Sequence, residues 1–278
     1  VHLCDISHKW TPKQGKWIGS RLAWENASMR IALISDIHGN TAALRTVLDD
    51  IEKHAADTIV CLGDIAATGP DPAGAVELIT DLGGPVVRGN TDEDMLAVPE
   101  WWHDPTTVGA PASALPVAEI GVWCAGQLSD QHQEFLRGLP LTTEVDLGDG
   151  ALLGFHGSPR LVNDNIIAST PVPDVAEMLQ GVTQRLLAGG HTHVPMVRRH
   201  GSQTIVNPGS VGAPFAGYSD GGDDDIASHA AYALITTNGN AMNIELRQVP
   251  VDRAELVQMV EASDMPQGEW WLDRRTGS

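Results

Sequence analysis

The chain has 278 residues, 42% apolar and 5% aromatic, with 36 acidic and 17 basic side chains for a formal charge of −19. That length suits one large domain or two modest ones, with a core of Ala, Val, Leu and Ile. The acidic balance argues against a surface built for nucleic-acid backbones or anionic membranes, so a polyanionic partner would need local positive charge such as a bound metal. The three cysteines, Cys4, Cys61 and Cys124, are odd in number and lack CxxC spacing, which fits a reduced cytoplasm better than a disulfide framework. No apolar run approaches the ~18 residues that span a bilayer. Residues 1–30 lack the apolar stretch of a secretory signal, and no repeat or low-complexity tract appears.

Residues 1–28 show no clear period and read as an N-terminal extension, with the folded domain over 29–278. Residues 30–35 read as a buried strand. In 41–53, Leu44, Val47, Leu48 and Ile51 recur with helical spacing, and Asn40 or Thr41 can cap that helix. TIVCLG (58–63) reads as a strand, AGAVELITDL (73–82) as a helix and PVVRGN (85–90) as a third strand end. The Pro- and Ala-rich stretch 99–121 reads as a connection or a lid, and a helix is expected around Val122–Arg137. TTEVDLGDGALLGF (142–155) reads as a hairpin about Gly148-Asp149-Gly150. Residues 173–182 look helical, RLLAGG, QTIVNP, AAYALITT and MNIELRQV read as strands, and 251–263 as a helix. Strands alternating with helices, then several strands in a row, predict an α/β domain with layered sheets.

The chemistry follows the apolar runs. After IALIS come Asp36 and His38, after IVCLG comes Asp64, and after VVRG comes Asn90. His156 follows ALLGF, and His191 and His193 follow RLLAGG. Each side chain lies at the C-terminal end of a predicted strand, where open α/β sheets build their ligand sites. The other histidines do not fall at such positions and read as surface or packing residues. Four imidazoles, two carboxylates and one amide, with no thiolate, are too many for one structural zinc. They fit two metals sharing a carboxylate, about 3.5–4 Å apart. Gly39, Gly63, Gly89, Gly157 and Gly190 allow sharp turns around them.

The motifs SDIHGN, LGDIAATGPDP, VRGNTD, FHGSPR, GGHTHVP and NPGSVG, in this order from about Met29 to about Val249, resemble those of the calcineurin-like metallophosphoesterase superfamily, in its small bacterial and archaeal phosphodiesterase-like branch. The resemblance implies a four-layer α-β-β-α sandwich with two mixed sheets and the metal site at the C-terminal strand ends. It implies one metal on Asp36, His38, Asp64 and His193 and a second on Asp64, Asn90, His156 and His191, bridged by Asp64. The ligand types suit Mn first, with Fe, Zn, Ni or Co as alternatives. The implied reaction is in-line attack of a metal-bridging hydroxide on phosphorus, with Asp64, Asn90, His156 and His191 as the catalytic set. Asn40, Asn90 and Arg160 are the expected phosphate contacts, and a small phosphodiester the expected substrate.

One departure limits the chemistry. Many family members place a histidine after the GN pair as proton donor, where this chain has Thr91 followed by Asp92. The proton then comes from water or another residue such as Asp92, and good leaving groups are favoured, since general acid help is worth ~10²–10⁴ in rate. The alternatives are a phosphomonoesterase acting on nucleotides or phosphoproteins, and a non-catalytic protein-binding scaffold like the retromer subunit that shares this resemblance. Loss of metal ligands would support the scaffold, and none is lost. A metallo-β-lactamase-like hydrolase would need Asp where Pro195 stands, and neither GxxxxGK[ST] nor GxGxxG is present. Trp101-Trp102 and Trp270-Trp271 are assigned to core packing or to a substrate mouth, and Gly221–Asp225 to a solvated loop.

Overall fold

In chain order, β1 (Met29–Ile34) leads into α1 (Thr41–Lys53), β2 (Thr58–Cys61), α2 (Pro72–Leu82), α3 (Asn90–Leu96) and α4 (Glu100–His103). A 3-10 turn at Pro105–Val108 precedes α5 (Leu115–Gly126) and α6 (Asp130–Arg137). Strands β3 (Thr142–Asp146) and β4 (Ala151–Phe155), helix α7 (Val172–Met178), and strands β5 (Leu186–Ala188), β6 (Met196–His200) and β7 (Gln203–Asn207) follow. The long hairpin β8 (His229–Asn238) and β9 (Ala241–Pro250) precedes α8 (Arg253–Ala262) and α9 (Gly268–Asp273). This computed structural model describes residues 28–110, 114–148, 150–215, 226–238 and 241–275. The expected extension 1–28, apart from Ser28, and the acidic run Gly221–Asp225 lie outside the described residues.

The strands form a four-stranded sheet, β2-β1-β8-β9, and a five-stranded sheet, β3-β4-β5-β7-β6. Both are mixed: β1 runs parallel to β2 and antiparallel to β8, and β5 runs parallel to β4 and β7 while β3 and β6 run antiparallel to their neighbours. The alternation along β1 shows why the sheets stack. Ile31 and Leu33 point into a cluster with Val60, Leu152, Leu186, Val206 and Ile235 between the sheets. Ala32 and Ile34 point the other way, onto Leu44, Val47 and Ile51 of α1. Both faces are covered, so the strand reads as one continuous apolar run. On the far side of the second sheet, Leu153, Phe155, Leu187 and Ile205 pack against Val175 of α7. Three stacked clusters make the expected helix–sheet–sheet–helix layering, each fully buried large aliphatic contributing ~1.5–3 kcal/mol. Among the described residues no helix is long and apolar enough to cross a membrane.

Several elements depart from the sequence reading. Residues 85–90 make only a single parallel bridge, Val86 to Cys61, before Asn90 opens α3. The helix expected around 122–137 is two helices, because the chain breaks at Gln127 and Ser129 starts a new one by accepting from His132 N at 3.3 Å. The helix expected over 173–182 ends at Met178. Strand β6 and helix α9 fall outside the sequence reading. Trp102 and Trp271 are core residues, 3% and 2% exposed, with Trp101 and Trp270 packed against the same cluster. Trp102 shares its cluster with Ile120 and Cys124 and lies so close to Gly121 that a Cβ there would meet its ring at 2.8 Å, which makes this part of 99–121 a packed connection.

Candidate metal centre

Strands β1 and β2 of one sheet and β4 and β5 of the other end at the same place, and their C-terminal loops are tied together by backbone. Asp36 N donates to Gly63 O at 3.0 Å, His38 N to Asp64 O at 3.1 Å and Gly190 N to His156 O at 2.8 Å. Ser210 Oγ and Gly212 N both donate to Asp36 O, at 2.7 and 2.9 Å. Glycines permit this proximity. A Cβ on Gly190 would sit 1.9 Å from Ser35 Oγ and 2.9 Å from Asp36 Oδ2, and one on Gly89 would sit 2.0 Å from Asp64 Oδ1.

Five of the predicted ligands hold left-handed backbone: Asp36 at φ 55°, His38 at 51°, Asp64 at 56°, His191 at 67° and His193 at 58°. Each costs ~1–3 kcal/mol for a residue with a Cβ. The loops carry this strain because it turns every side chain inward. Asp36, His38, Asp64, His156 and His193 are buried, whereas Asn90 and His191 are partly exposed.

The donor atoms gather in two groups, Asp36 with His38 and His193, and Asp64 with His156 and His191. Asp36 Oδ1 is buried without a hydrogen-bond partner and lies 3.3 Å from His193 Nε2, 3.9 Å from His156 Nε2 and 4.0 Å from His38 Nε2. Asp64 Oδ2 lies 3.4 Å from His156 Nε2 and 3.9 Å from His38 Nε2, one histidine from each group. Asn90 enters through its Oδ1, 3.1 Å from His156 Nε2.

Backbone carbonyls fix the imidazoles. His38 Nδ1 faces Ala67 O at 3.0 Å, His156 Nδ1 faces Leu62 O at 2.6 Å and His193 Nδ1 faces Ala213 O at 2.7 Å. A carbonyl only accepts, so each Nδ1 carries hydrogen and each Nε2 points its remaining valence at the centre. His38 Nε2 and His193 Nε2 are 3.1 Å apart. Two lone pairs do not stand so close without a cation, proton or metal, between them. Burial and His193 push His38 down to about 4. Burial works against charge on His156, but the Asp64 and Asp36 carboxylates outweigh it and push His156 up to about 10. Burial likewise opposes ionisation of Asp64, yet His156, then His38 and His191, hold it well below the usual carboxylate range. The cluster is starved of positive charge. Its imidazole, carboxylate and amide donors, with an orphaned carboxylate oxygen among them, fit divalent first-row metals.

All seven predicted ligands thus converge. The two further predicted phosphate contacts do not join them. Asn40 is buried with both ends of its amide engaged, Oδ1 accepting from Ala43 N at 3.1 Å as the cap of α1 and Nδ2 donating to Gly212 O at 3.2 Å. Arg160 donates to Asp164 and Glu177, each at 2.8 Å. Asp92, the alternative proton source, is turned to backbone instead. It is buried, and it accepts from Asp64 N at 2.9 Å and Gly89 N at 2.8 Å on one oxygen and from Ile65 N at 2.9 Å on the other. It joins the Asp64 loop to the Asn90 turn. Thr91 N donates to Asp64 Oδ1 at 2.9 Å, while its hydroxyl is buried without a partner. The anchoring carbonyls left no signal in the sequence, because any residue type supplies one.

A family model described as the calcineurin-like phosphoesterase superfamily domain matches residues 29–231. An uncharacterized protein of Methanocaldococcus jannaschii is 28% identical over 260 residues, covering 88% of this chain and 96% of that one. The phosphodiesterase YfcE of Escherichia coli is 26% identical over 199 residues, covering 68% of this chain and 83% of its own. Among solved structures, a metallophosphoesterase from Sphaerobacter thermophilus aligns with a TM-score of 0.66 at 29% identity, covering 89% of this chain and 98% of that one.

Proposed function

The chain belongs to the calcineurin-like phosphoesterase superfamily, and from that premise we propose that it is a dimetal phosphodiesterase acting on a small substrate. The observation that supports this most is the convergence of Nε2 atoms and carboxylate oxygens on one point while every opposite Nδ1 of His38, His156 and His193 is tied to a carbonyl. Asp36, His38, Asp64 and His193 on one side and Asp64, Asn90, His156 and His191 on the other would hold two divalent cations, which would supply the acidified water and the positive charge that phosphoryl transfer needs at neutral pH. Manganese is the first choice for this donor set.

The protein's own groups set the rest. Asn90 and His191 are the partly exposed members of the set, so substrate meets the second group first. With Oδ1 of Asn90 turned to His156, its Nδ2 hydrogens are left to hold a phosphoryl oxygen. Asp64, held through Oδ1 by Thr91 N, keeps Oδ2 aimed between the two groups. At the position after Asn90, Thr91 offers only a hydroxyl, and Asp92 is committed to three backbone N–H groups. Leaving groups that depart unprotonated are therefore preferred. The relative YfcE is named a phosphodiesterase, and that likeness supports a diester over a monoester as the substrate of this chain.

The test is hydrolysis of bis-p-nitrophenyl phosphate against p-nitrophenyl phosphate by metal-stripped protein reloaded with Mn²⁺. Metal-dependent cleavage, faster on the diester and abolished in Asp64→Ala and His191→Ala, is expected. Faster monoester cleavage would reassign the chain as a phosphomonoesterase. Two metals bound with neither ester turned over would favour the scaffold.

A further inference from the structure

The family match ends at residue 231, and helices α8 and α9 lie beyond it. The last helix nevertheless grips the metal centre by two routes. Trp271 donates its Nε1–H to Thr68 O at 2.9 Å. Thr68 is held at a left-handed φ of 69°, and its Oγ1 lies 3.1 Å from His38 Nδ1. Just past α9, Arg275 lays its guanidinium 3.3 Å over the Trp271 ring. Its Nη1 donates to Trp271 O at 2.9 Å and its Nη2 to Gly212 O at 3.1 Å. Gly212 N in turn donates to Asp36 O at 2.9 Å, and the carbonyl of the next residue, Ala213, receives His193 Nδ1 at 2.7 Å.

Asp36, His38 and His193 therefore all hang from backbone that Trp271 and Arg275 hold. The other group has further anchors of its own, His156 on Leu62 O and Asp64 on Thr91 N, and it meets the first group where His191 N donates to Asp36 Oδ2 at 3.1 Å. Arginine is a costly residue for this place. It is 6% exposed, its Nε has no partner, and no carboxylate of the described residues pairs with it. An apolar side chain would fill the volume without that desolvation, so the position uses the planar fork of donors that only arginine carries.

We propose that Trp271 and Arg275 are positioning residues for the first metal site, a C-terminal clasp that sets Asp36, His38 and His193 and reaches the Asp64–His156–His191 site only indirectly, through bonds such as His191 N to Asp36 Oδ2. This rests on the two-metal reading above. Loss of an outer-shell partner weakens a metal site about 10- to 100-fold, and here the loss falls mainly on one site of two.

The full chain, stripped of metal, is titrated with Mn²⁺ and followed by electron paramagnetic resonance, with the melting midpoint of each metal-free variant read alongside. Wild type is expected to give a spin-coupled pair at two equivalents. Arg275→Met removes both donor bonds while keeping bulk, and Trp271→Phe removes the N–H together with one ring of the indole, a packing loss that the metal-free midpoint reports. Each is expected to weaken one site about 10- to 100-fold and the other much less, so isolated Mn²⁺ replaces the coupled signal. Arg275→Lys, which returns one donor, recovers part of it. Should Arg275→Met not fold, Trp271→Phe decides. Two unweakened sites in the folded variants overturn the clasp, as does equal weakening of both sites in step with a fallen midpoint. A wild type that does not take two Mn²⁺ overturns the two-metal reading itself, and the clasp with it.

Discussion

Asp92 shows how much of the centre is carried by a buried residue outside the seven predicted ligands. Its carboxylate takes three backbone N–H groups, two from the Asp64 loop and one from Gly89. Burial and the nearby Asp64 charge push it up to about 6, while those N–H bonds pull the other way. Asp92→Asn presents an N–H₂ to at least one backbone N–H, leaving a buried donor unsatisfied at about 1–3 kcal/mol. The Asp64 loop then shifts, and kcat on a Mn²⁺-loaded diester assay is expected to fall about 10- to 100-fold, the range for lost outer-shell support. The shape of the pH–rate profile distinguishes positioning from proton donation. Positioning leaves the alkaline limb where it was, whereas disappearance of that limb in Asp92→Asn would make Asp92 the acid after all.

At the scale of elements, α1 is fastened to the β8–β9 hairpin by one polar knot. Tyr232 Oη donates to Asp50 Oδ2 at 2.8 Å, and Arg247 Nη2 approaches the same oxygen at 3.1 Å. Burial opposes the Asp50 charge, but the Tyr232 and Arg247 bonds win and hold its carboxyl below the usual range. A carboxyl lowered in the folded state stabilises above its ordinary value near 3.8 and loses that contribution as pH falls through the folded one. Asp50→Asn in metal-stripped protein should lower stability at pH 7 by on the order of 1 kcal/mol. Urea midpoints should show the gap to wild type closing as the pH drops below about 4. A gap that stays constant down to pH 3 would mean that the charge of Asp50 contributes nothing. The same scale shows what the sequence can carry. The ligand-bearing strand ends were readable because apolar runs stop abruptly at Asp, Asn or His. Strand β6, MVRRH, has two apolar residues in five and sits at a sheet edge, so it leaves no periodic trace. Helix α9 has six residues, too few for a helical period to emerge, yet it brings Trp271 to Thr68. Asn90 read as a strand end and proved to open a helix, since a lone bridge at Val86 carries the preceding apolar pair. The ligand identities survive such misreadings, because each depends on where an apolar run stops and not on which element starts next.

At the scale of the whole molecule, the site and its surface pull an anionic substrate in opposite directions. The formal charge is −19, while Asp36 and Asp64 are the two carboxylates set against four positive charges once two divalent cations are bound. Near the centre an anion is attracted; over the longer approach it meets a net negative field. Screening separates the two, because the Debye length shrinks from about 30 Å at 0.01 M to about 8 Å at 0.15 M salt, which removes the distant repulsion and spares contacts of a few ångström. With Mn²⁺ held saturating, kcat/KM for the monoanionic diester is therefore expected to rise about two- to fivefold over that range. The dianionic monoester should respond more steeply, in proportion to its charge, and kcat should stay nearly flat because the bound complex no longer feels the long-range field. A kcat/KM that falls with salt would mean that the positive centre governs the approach from a distance, and the acidic surface would then have no part in choosing small substrates over long polyanions.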